Sequence, residues 1–215
     1  MSLKNVWISL SRLSLVTLSL FFFGSPAWML LHAMGNPVYQ EDGIPPVAYK
    51  IHQKLSPRYA DWAKSRVAAS TAPEVNYSNV SGTEWPVFGS LFFLMATESL
   101  QEAWEENPVT EDSPAIYAHE AIVASTELVL DPGHAAWVIQ HWGDDYLTRE
   151  NAFYRMMRIG AMTAYSNITQ DMQYLEQLRR ETDDLAEDID LSPIGLLDDY
   201  PGECYPSDVM MACLM

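Results

Sequence analysis

Apolar positions recur at helical spacing along most of the chain, and no segment shows the strict alternation of a half-buried strand. From Pro86 onward, Val87, Phe88, Leu91, Phe92, Met95, Ser99 and Ala103 follow the 3.6-residue period until Asn107-Pro108 closes it. The centre of that run, Leu91-Phe92-Phe93-Leu94-Met95-Ala96, is apolar on nearly every side, the pattern of a buried inner helix. Asp112-Ser113-Pro114 opens a second helix to about Leu130, and Asp131-Pro132-Gly133 breaks it. A short helix from about Gly133 leads into His141-Trp142-Gly143-Asp144-Asp145. Thr148 is the expected N-cap of a helix over 149–166, and Thr169 or Asp171 the cap of another to about 189. Ser192-Pro193-Ile194-Gly195 then turns the chain, and Pro206 and Ser207 begin a last apolar helix. Upstream, one helix is expected over 57–70 with Pro57 in its first turn, followed by a polar loop over 71–85. Helices joined by short Pro/Gly turns predict an all-α fold of stacked hairpins, and no repeat of fixed period marks a regular solenoid. The last helix runs to Met215 without a C-cap, as a fragment of a longer helical array would.

The N-terminus reads as an address. Leu13 to Ala33 is about 21 residues without a formal charge, enough to cross a bilayer as a helix. Lys4 and Arg12 precede it, so the positive-inside rule leaves the N-terminus cytoplasmic and everything after it extracytoplasmic. Ser25-Pro26-Ala27 resembles a signal-peptidase site, so residues 1–33 serve as a signal anchor in the bilayer or as a removable signal peptide. Asn36-Pro37, Gly43-Ile44-Pro45-Pro46 and Ser56-Pro57 mark a Pro-rich linker over 34–58, leaving 59–215 as the helical domain. Asn76, Asn79 and Asn167 begin glycosylation triplets, a short pattern that matters only in a eukaryotic secretory protein.

Charge narrows the partners. Outside residues 1–33 the chain holds 10 basic and 29 acidic side chains, a balance that cannot neutralise nucleic-acid phosphates and keeps the surface self-repelling. Cys204 and Cys213 match no zinc or CxxC spacing; on a helix they stand about 13 Å apart, too far for a disulfide. Both read as free thiols, Cys213 in the core and Cys204 in a polar loop, where it is a candidate reactive thiol or an inert one. There is no HxxxH or HExxH pair, no EF-hand spacing, no phosphate loop and no GxSxG elbow, so neither a metal nor a cofactor is expected. His119 and His134, on or beside helices, read as structural or exposed.

Two loops carry the chemistry. Asp144 and Asp145 follow His141 and Trp142, and Asp198, Asp199, Tyr200, Glu203 and Cys204 form the second group. Convergence of the two acidic clusters would raise at least one carboxyl pKa, as a general acid near neutral pH requires. Each acid has an ordinary alternative as a helix cap or solvated turn, and Tyr154 and Trp142 as core aromatics.

The run Trp142-Gly143-Asp144-Asp145, then Glu150-Asn151-Ala152-Phe153-Tyr154-Arg155, then Tyr200-Pro201-Gly202-Glu203-Cys204, resembles the linalool dehydratase/isomerase family over roughly residues 86–215. The resemblance implies an (α/α)6 barrel, export, and cofactor-free dehydration and isomerisation of monoterpene alcohols. The family's catalytic His falls at Met157, followed here by Arg158, and its early-loop acid has its nearest counterpart in Glu84. The expected fold is therefore all-α and (α/α)6-barrel-like. The expected function is a lyase or isomerase acting on a small apolar alcohol. Asp144 and Asp145 are the acid/base candidates, His141 and Tyr154 orient, and Glu203 and Cys204 enter from the opposite loop. Trp142, Asp199 and Tyr200 line the substrate pocket. A carbohydrate-active (α/α) barrel and a membrane-anchored scaffold without catalysis share the same pattern, and a homo-oligomer is compatible with each.

Overall fold

The computed structural model describes residues 12–35, 43–69 and 80–213. Every regular element among them is helical, and the β-type pairing seen there is an isolated bridge between Tyr200 and Glu203. The chain divides into two compact units, Met1–Pro45 and Pro46–Met215.

In the first unit, α1 (12–19), a π turn (Leu20–Gly24) and α2 (Ser25–Met34) run on without a break. Arg12–His32 is long and apolar enough to cross a membrane or to act as a signal sequence. Its hydroxyls are satisfied within the helix: Thr17 Oγ1 donates to the Leu13 carbonyl at 3.0 Å and Ser25 Oγ to that of Phe21 at 2.5 Å. Such back-bonding lets Ser and Thr sit in an apolar helix without an unpaired donor.

The second unit contains α3 (Pro46–Ala69), α4 (Val80–Glu106), α5 (Pro114–Tyr117), α6 (His119–Leu130), α7 (Ala136–Trp142), α8 (Ala152–Thr169), α9 (Leu175–Leu191) and α10 (Pro206–Ala212). Two helix starts differ from the sequence expectation. α3 begins at Pro46, so residues 46–58 are helix rather than linker, and the unit boundary moves from 58/59 to 45/46. The buried stripe of α3 is Tyr49, His52, Ser56, Ala60 and Ala63, at helical spacing but built from small and polar residues that aliphatic patterning does not register. Pro57 and Pro86 lie inside α3 and α4 rather than at their first turns. Of the loop expected over 71–85, residues 80–85 are helical and 71–79 lie outside the described residues, as do 36–42 of the linker and the asparagines at 76 and 79.

α8 is the centre of the unit: it packs on α4, α6, α9 and α10, and its residues are buried nearly all round. The main core joins Val87, Leu91 and Leu94 of α4 to Ile122 and Leu128 of α6 and Met157 and Ala161 of α8. A smaller cluster of Ala152, Ile159, Leu185, Leu197 and Val209 ties α8 to α9, α10 and the segment between them. Two charges are spent inside this packing. Arg158 grips Glu181 through Nη2 (2.6 Å) and Nε (3.0 Å), and Arg155 Nη1 meets Asp188 at 2.5 Å. Both guanidiniums are almost wholly buried, which is tolerable only because each is paired.

α3 is locked to α4 by a buried imidazole. The Thr97 hydroxyl donates to the Phe93 carbonyl at 2.7 Å, so its oxygen accepts from His52 Nε2–H at 2.9 Å. His52 Nδ1 then accepts from the Tyr117 hydroxyl at 3.1 Å. Burial pushes the His52 pKa down to about 4, so the ring is neutral at physiological pH.

Candidate functional site

Residues 198–205, between α9 and α10, fold into a tight turn that three separate elements hold. Within it, the Asp199 and Glu203 amides donate to the Glu203 and Tyr200 carbonyls, each at 2.8 Å. Gly202 sits at φ 85, a conformation that disfavours any side chain, and its amide donates to Asp198 Oδ2 at 2.6 Å. The turn docks on the start of α8, where the Ala152 amide donates to the Asp198 carbonyl (3.1 Å) and the Asp198 amide to Glu150 Oε2 (2.7 Å). It docks on the end of α7, where Trp142 Nε1 donates to the Asp199 carbonyl at 3.1 Å. It docks on the first turns of α4, where the Tyr200 hydroxyl donates to Glu84 Oε1 at 2.7 Å.

These contacts create one polar patch against an aromatic wall. The His141 ring meets the Tyr200 ring edge-on at 5.2 Å, and Trp137, one helical turn earlier on α7, lies 6.1 Å from Tyr200 on another side. Phe153 of α8 bridges Trp137 and Phe88, and Phe88 continues to the exposed Trp85. Burial and then the Glu84 carboxylate push the Tyr200 phenol pKa far up, so Tyr200 stays protonated and acts as a hydrogen-bond donor.

Asp199 lies beneath this patch. It is 3% exposed, and its Oδ2 accepts from the Tyr205 amide at 2.9 Å at the start of α10. Burial, followed by the nearby Asp208 and Asp198 charges, raises its pKa to about 6, against the pull of the Tyr205 and Phe153 amides. Its Oδ1 makes no hydrogen bond of full geometry, the Phe153 amide notwithstanding. The shift comes from burial and from Asp208 and Asp198 on its own side, with no contribution from Asp144 or Asp145, and the carboxyl faces the protein interior rather than solvent.

Several site residues read from the sequence sit elsewhere. Asp144 is on an exposed turn, and Asp145 is spent on Arg149 at 2.7 Å, with both partners about half exposed. Tyr154 is sealed in the core: its hydroxyl donates to the Val129 carbonyl at 3.0 Å and its ring packs on Trp137, Tyr146 and the Arg158 guanidinium. Met157, also on α8, is likewise fully buried. Glu203 is exposed and serves the turn mainly through its backbone, its carboxylate accepting from the Tyr205 hydroxyl at 3.3 Å. Cys204 is half-buried, and its thiol is pushed up by desolvation and by Asp199, Asp198, Glu150 and Asp208, the opposite of the setting that makes a nucleophilic thiolate. Cys213 is exposed rather than core, and both thiols are free. His119 is exposed, whereas His134 is buried and held by Asp131 at 2.7 Å.

The structure thus brings together Glu84, His141, Trp142, Asp199 and Tyr200 from the residues singled out in the sequence and adds Trp137 and Phe153. Trp137 and His141 are four residues apart, so their shared face was readable once 136–142 was taken as a helix. No group of three or more His, Cys, Asp or Glu side chains among the described residues has the arrangement of a metal site. No family model, curated protein or solved structure matches the chain.

Proposed function

We propose that the helical unit is a cofactor-free lyase or isomerase acting on a small apolar alcohol by acid/base chemistry, in the manner of the linalool dehydratase/isomerase family. On this reading the hairpins belong to an (α/α)-barrel whose mouth is the 198–205 turn, on the extracytoplasmic side of the membrane. The carrying observation is the Glu84–Tyr200 hydrogen bond of 2.7 Å, with His141 edge-on to the same phenol, next to an aromatic wall. Tyr200 and Glu84 are half-buried and His141 is exposed, so all three are open to a ligand in a way that Asp199 and Tyr154 are not.

The reaction assigns each group one task. An imidazolium at His141 gives a proton to the substrate hydroxyl, which the Tyr200 oxygen orients by accepting a hydrogen bond, its own hydrogen lying on Glu84. The carbon–oxygen bond breaks, water leaves, and the allylic cation rests against the half-buried rings of Phe88 and Phe153. Glu84 takes a proton from the adjacent carbon, whose C–H electrons form the new double bond. For isomerisation, water instead returns to the other end of the allylic cation and gives its proton to the now neutral His141, which restores the acid. The test is product analysis of the full chain in detergent with a tertiary allylic terpene alcohol. Diene or isomerised alcohol should form, and Glu84→Gln should lower the rate about 100-fold or more with the fold intact. Equal product from the Glu84→Gln variant would refute the assignment.

A second reading, a membrane-anchored scaffold without catalysis, draws on the structural employment of Asp145, Tyr154 and Asp198 in ion pairing, core packing and the turn. It predicts no turnover, and destabilisation rather than lost product from changes at Glu84 and Tyr200.

A further inference from the structure

The apolar sides of α8, α9 and α10 leave a groove of about 300 Å³ lined by Ile159, Leu185, Ala186, Ile189, Ala212 and Cys213. It shares no lining residue with the Glu84–Tyr200 patch. Ile159 and Leu185 in its floor are core residues. The neighbouring positions Leu191, Met210 and Met211 are exposed to water. An apolar slot continued by exposed apolar side chains marks an interaction surface, and methionines adapt to varied contours.

Charge selects the occupant. α9 uses three acids internally: Glu176 with Arg179, Glu181 with Arg158, and Asp188 with Arg155. Asp183, Glu187 and Asp190 are exposed and make no ion pair among the described residues. At three- and four-residue spacing they form an acidic stripe beside Thr182, Ala186 and Ile189, and Asp190 itself lines the groove. A second copy of a chain with formal charge −17 would bring like charge to this edge, and so would an anionic lipid surface. A slot between helices, apolar in its floor and acidic along one edge, is complementary to a helix with one apolar and one basic face. We propose that the α8–α9–α10 groove docks a basic amphipathic helix of a partner protein.

The probe is a fluorescein-labelled 18-residue Leu/Lys peptide patterned as an amphipathic helix, titrated into the full chain in neutral detergent and followed by anisotropy. A scrambled peptide of the same composition and charge is the control. Saturable binding of the patterned peptide, at least about tenfold tighter than the scrambled one, is expected. Ala186→Arg, at an exposed groove position that folding tolerates, should remove that preference. Asp183→Asn with Asp190→Asn should weaken binding several-fold and flatten its salt dependence. Glu84→Gln should leave it unchanged, which separates this surface from the reaction site. Equal binding of both peptides, or full binding by the Ala186→Arg variant, would overturn the proposal. So would a concentration-dependent dimer in light scattering that Ala186→Arg dissolves, which would assign the groove to a second copy.

Discussion

Replacing Asp199 by Asn should change how the stability of the helical unit depends on pH. In the fold the carboxyl ionises near pH 6, about 2 units above its ordinary value of 3.8, because it is buried beside Asp208 and Asp198. Between those two values the unfolded chain has released the proton and the folded chain still holds it. The folded state therefore binds more protons, and stability falls as pH rises. At about 1.36 kcal/mol per unit, the loss approaches 3 kcal/mol and is complete a little above pH 6. The Asn side chain keeps an oxygen for the Tyr205 amide and cannot ionise, so its variant lacks this loss. Any fixed cost of the extra N–H₂ shifts its curve without changing the slope. The assay is urea unfolding of the full chain in detergent, followed by tryptophan fluorescence, at half-unit steps from pH 4 to 7.5. The stability difference between wild type and Asp199→Asn should move by about 2–3 kcal/mol across that range in favour of the variant. Parallel curves would refute the raised carboxyl, because titrating groups distant from Asp199 cancel in the difference and Asp198 and Asp208 are the neighbours coupled to it.

Other perturbations have equally defined outcomes. His52, neutral in the fold with its pKa pushed down to about 4, acts in the opposite direction: the unfolded chain binds its proton first, so stability is lost as pH falls from about 6.5 through 4. Replacing His52 by Gln should remove that acid-side loss in the same urea series. Arg158→Met leaves the partly buried Glu181 without its cation, Gln177 still donating to it, and should cost about 3 kcal/mol, with a smaller cost when Glu181→Leu is added. Tyr154→Phe removes the donor to the Val129 carbonyl and should cost about 1–3 kcal/mol while leaving product formation intact, since the hydroxyl faces the core. Trp142→Phe deletes the bond to the Asp199 carbonyl; it should cost about 1 kcal/mol and raise KM more than it lowers kcat, read from steady-state product formation.

Much of this architecture was legible in the chain. An apolar period gave α4; the Asp112-Ser113-Pro114 start gave one helix where the structure has α5 and α6, Asp131-Pro132-Gly133 ended α6 as its turn chemistry requires, and α8 was read from a cap signal. The pairing of the 141–145 loop with the 198–204 loop was also readable, and it holds for His141, Trp142, Asp199 and Tyr200. Two features lay beyond local pattern. Proline was read as a helix start, yet Pro57 and Pro86 lie within helices whose first turns carry weak signals. The N-cap of α8 was assigned to Thr148, whose hydroxyl instead bonds the Asp145 carbonyl, while Asn151 caps at φ 31 with its side chain on the Tyr146 carbonyl. The roles of Asp145 and Tyr154 depended on partners chosen in three dimensions. Arg149 stands one turn beyond Asp145, whereas the Val129 carbonyl that takes the Tyr154 hydroxyl is 25 residues away.

The reach of Tyr200 to Glu84 spans 116 residues, and the turn that carries it is also pinned 48 and 57 residues back in the chain. Contacts this distant in sequence close only after the loops between them have been ordered, so they form late in folding. Helix pairs such as α6 with α8 join segments nearer in sequence, whose closure costs less loop entropy. The site is a clock on the finished fold: fluorescence of Trp137 and Trp142, next to that turn, should reach its native value in the slowest refolding phase, after helical ellipticity has recovered.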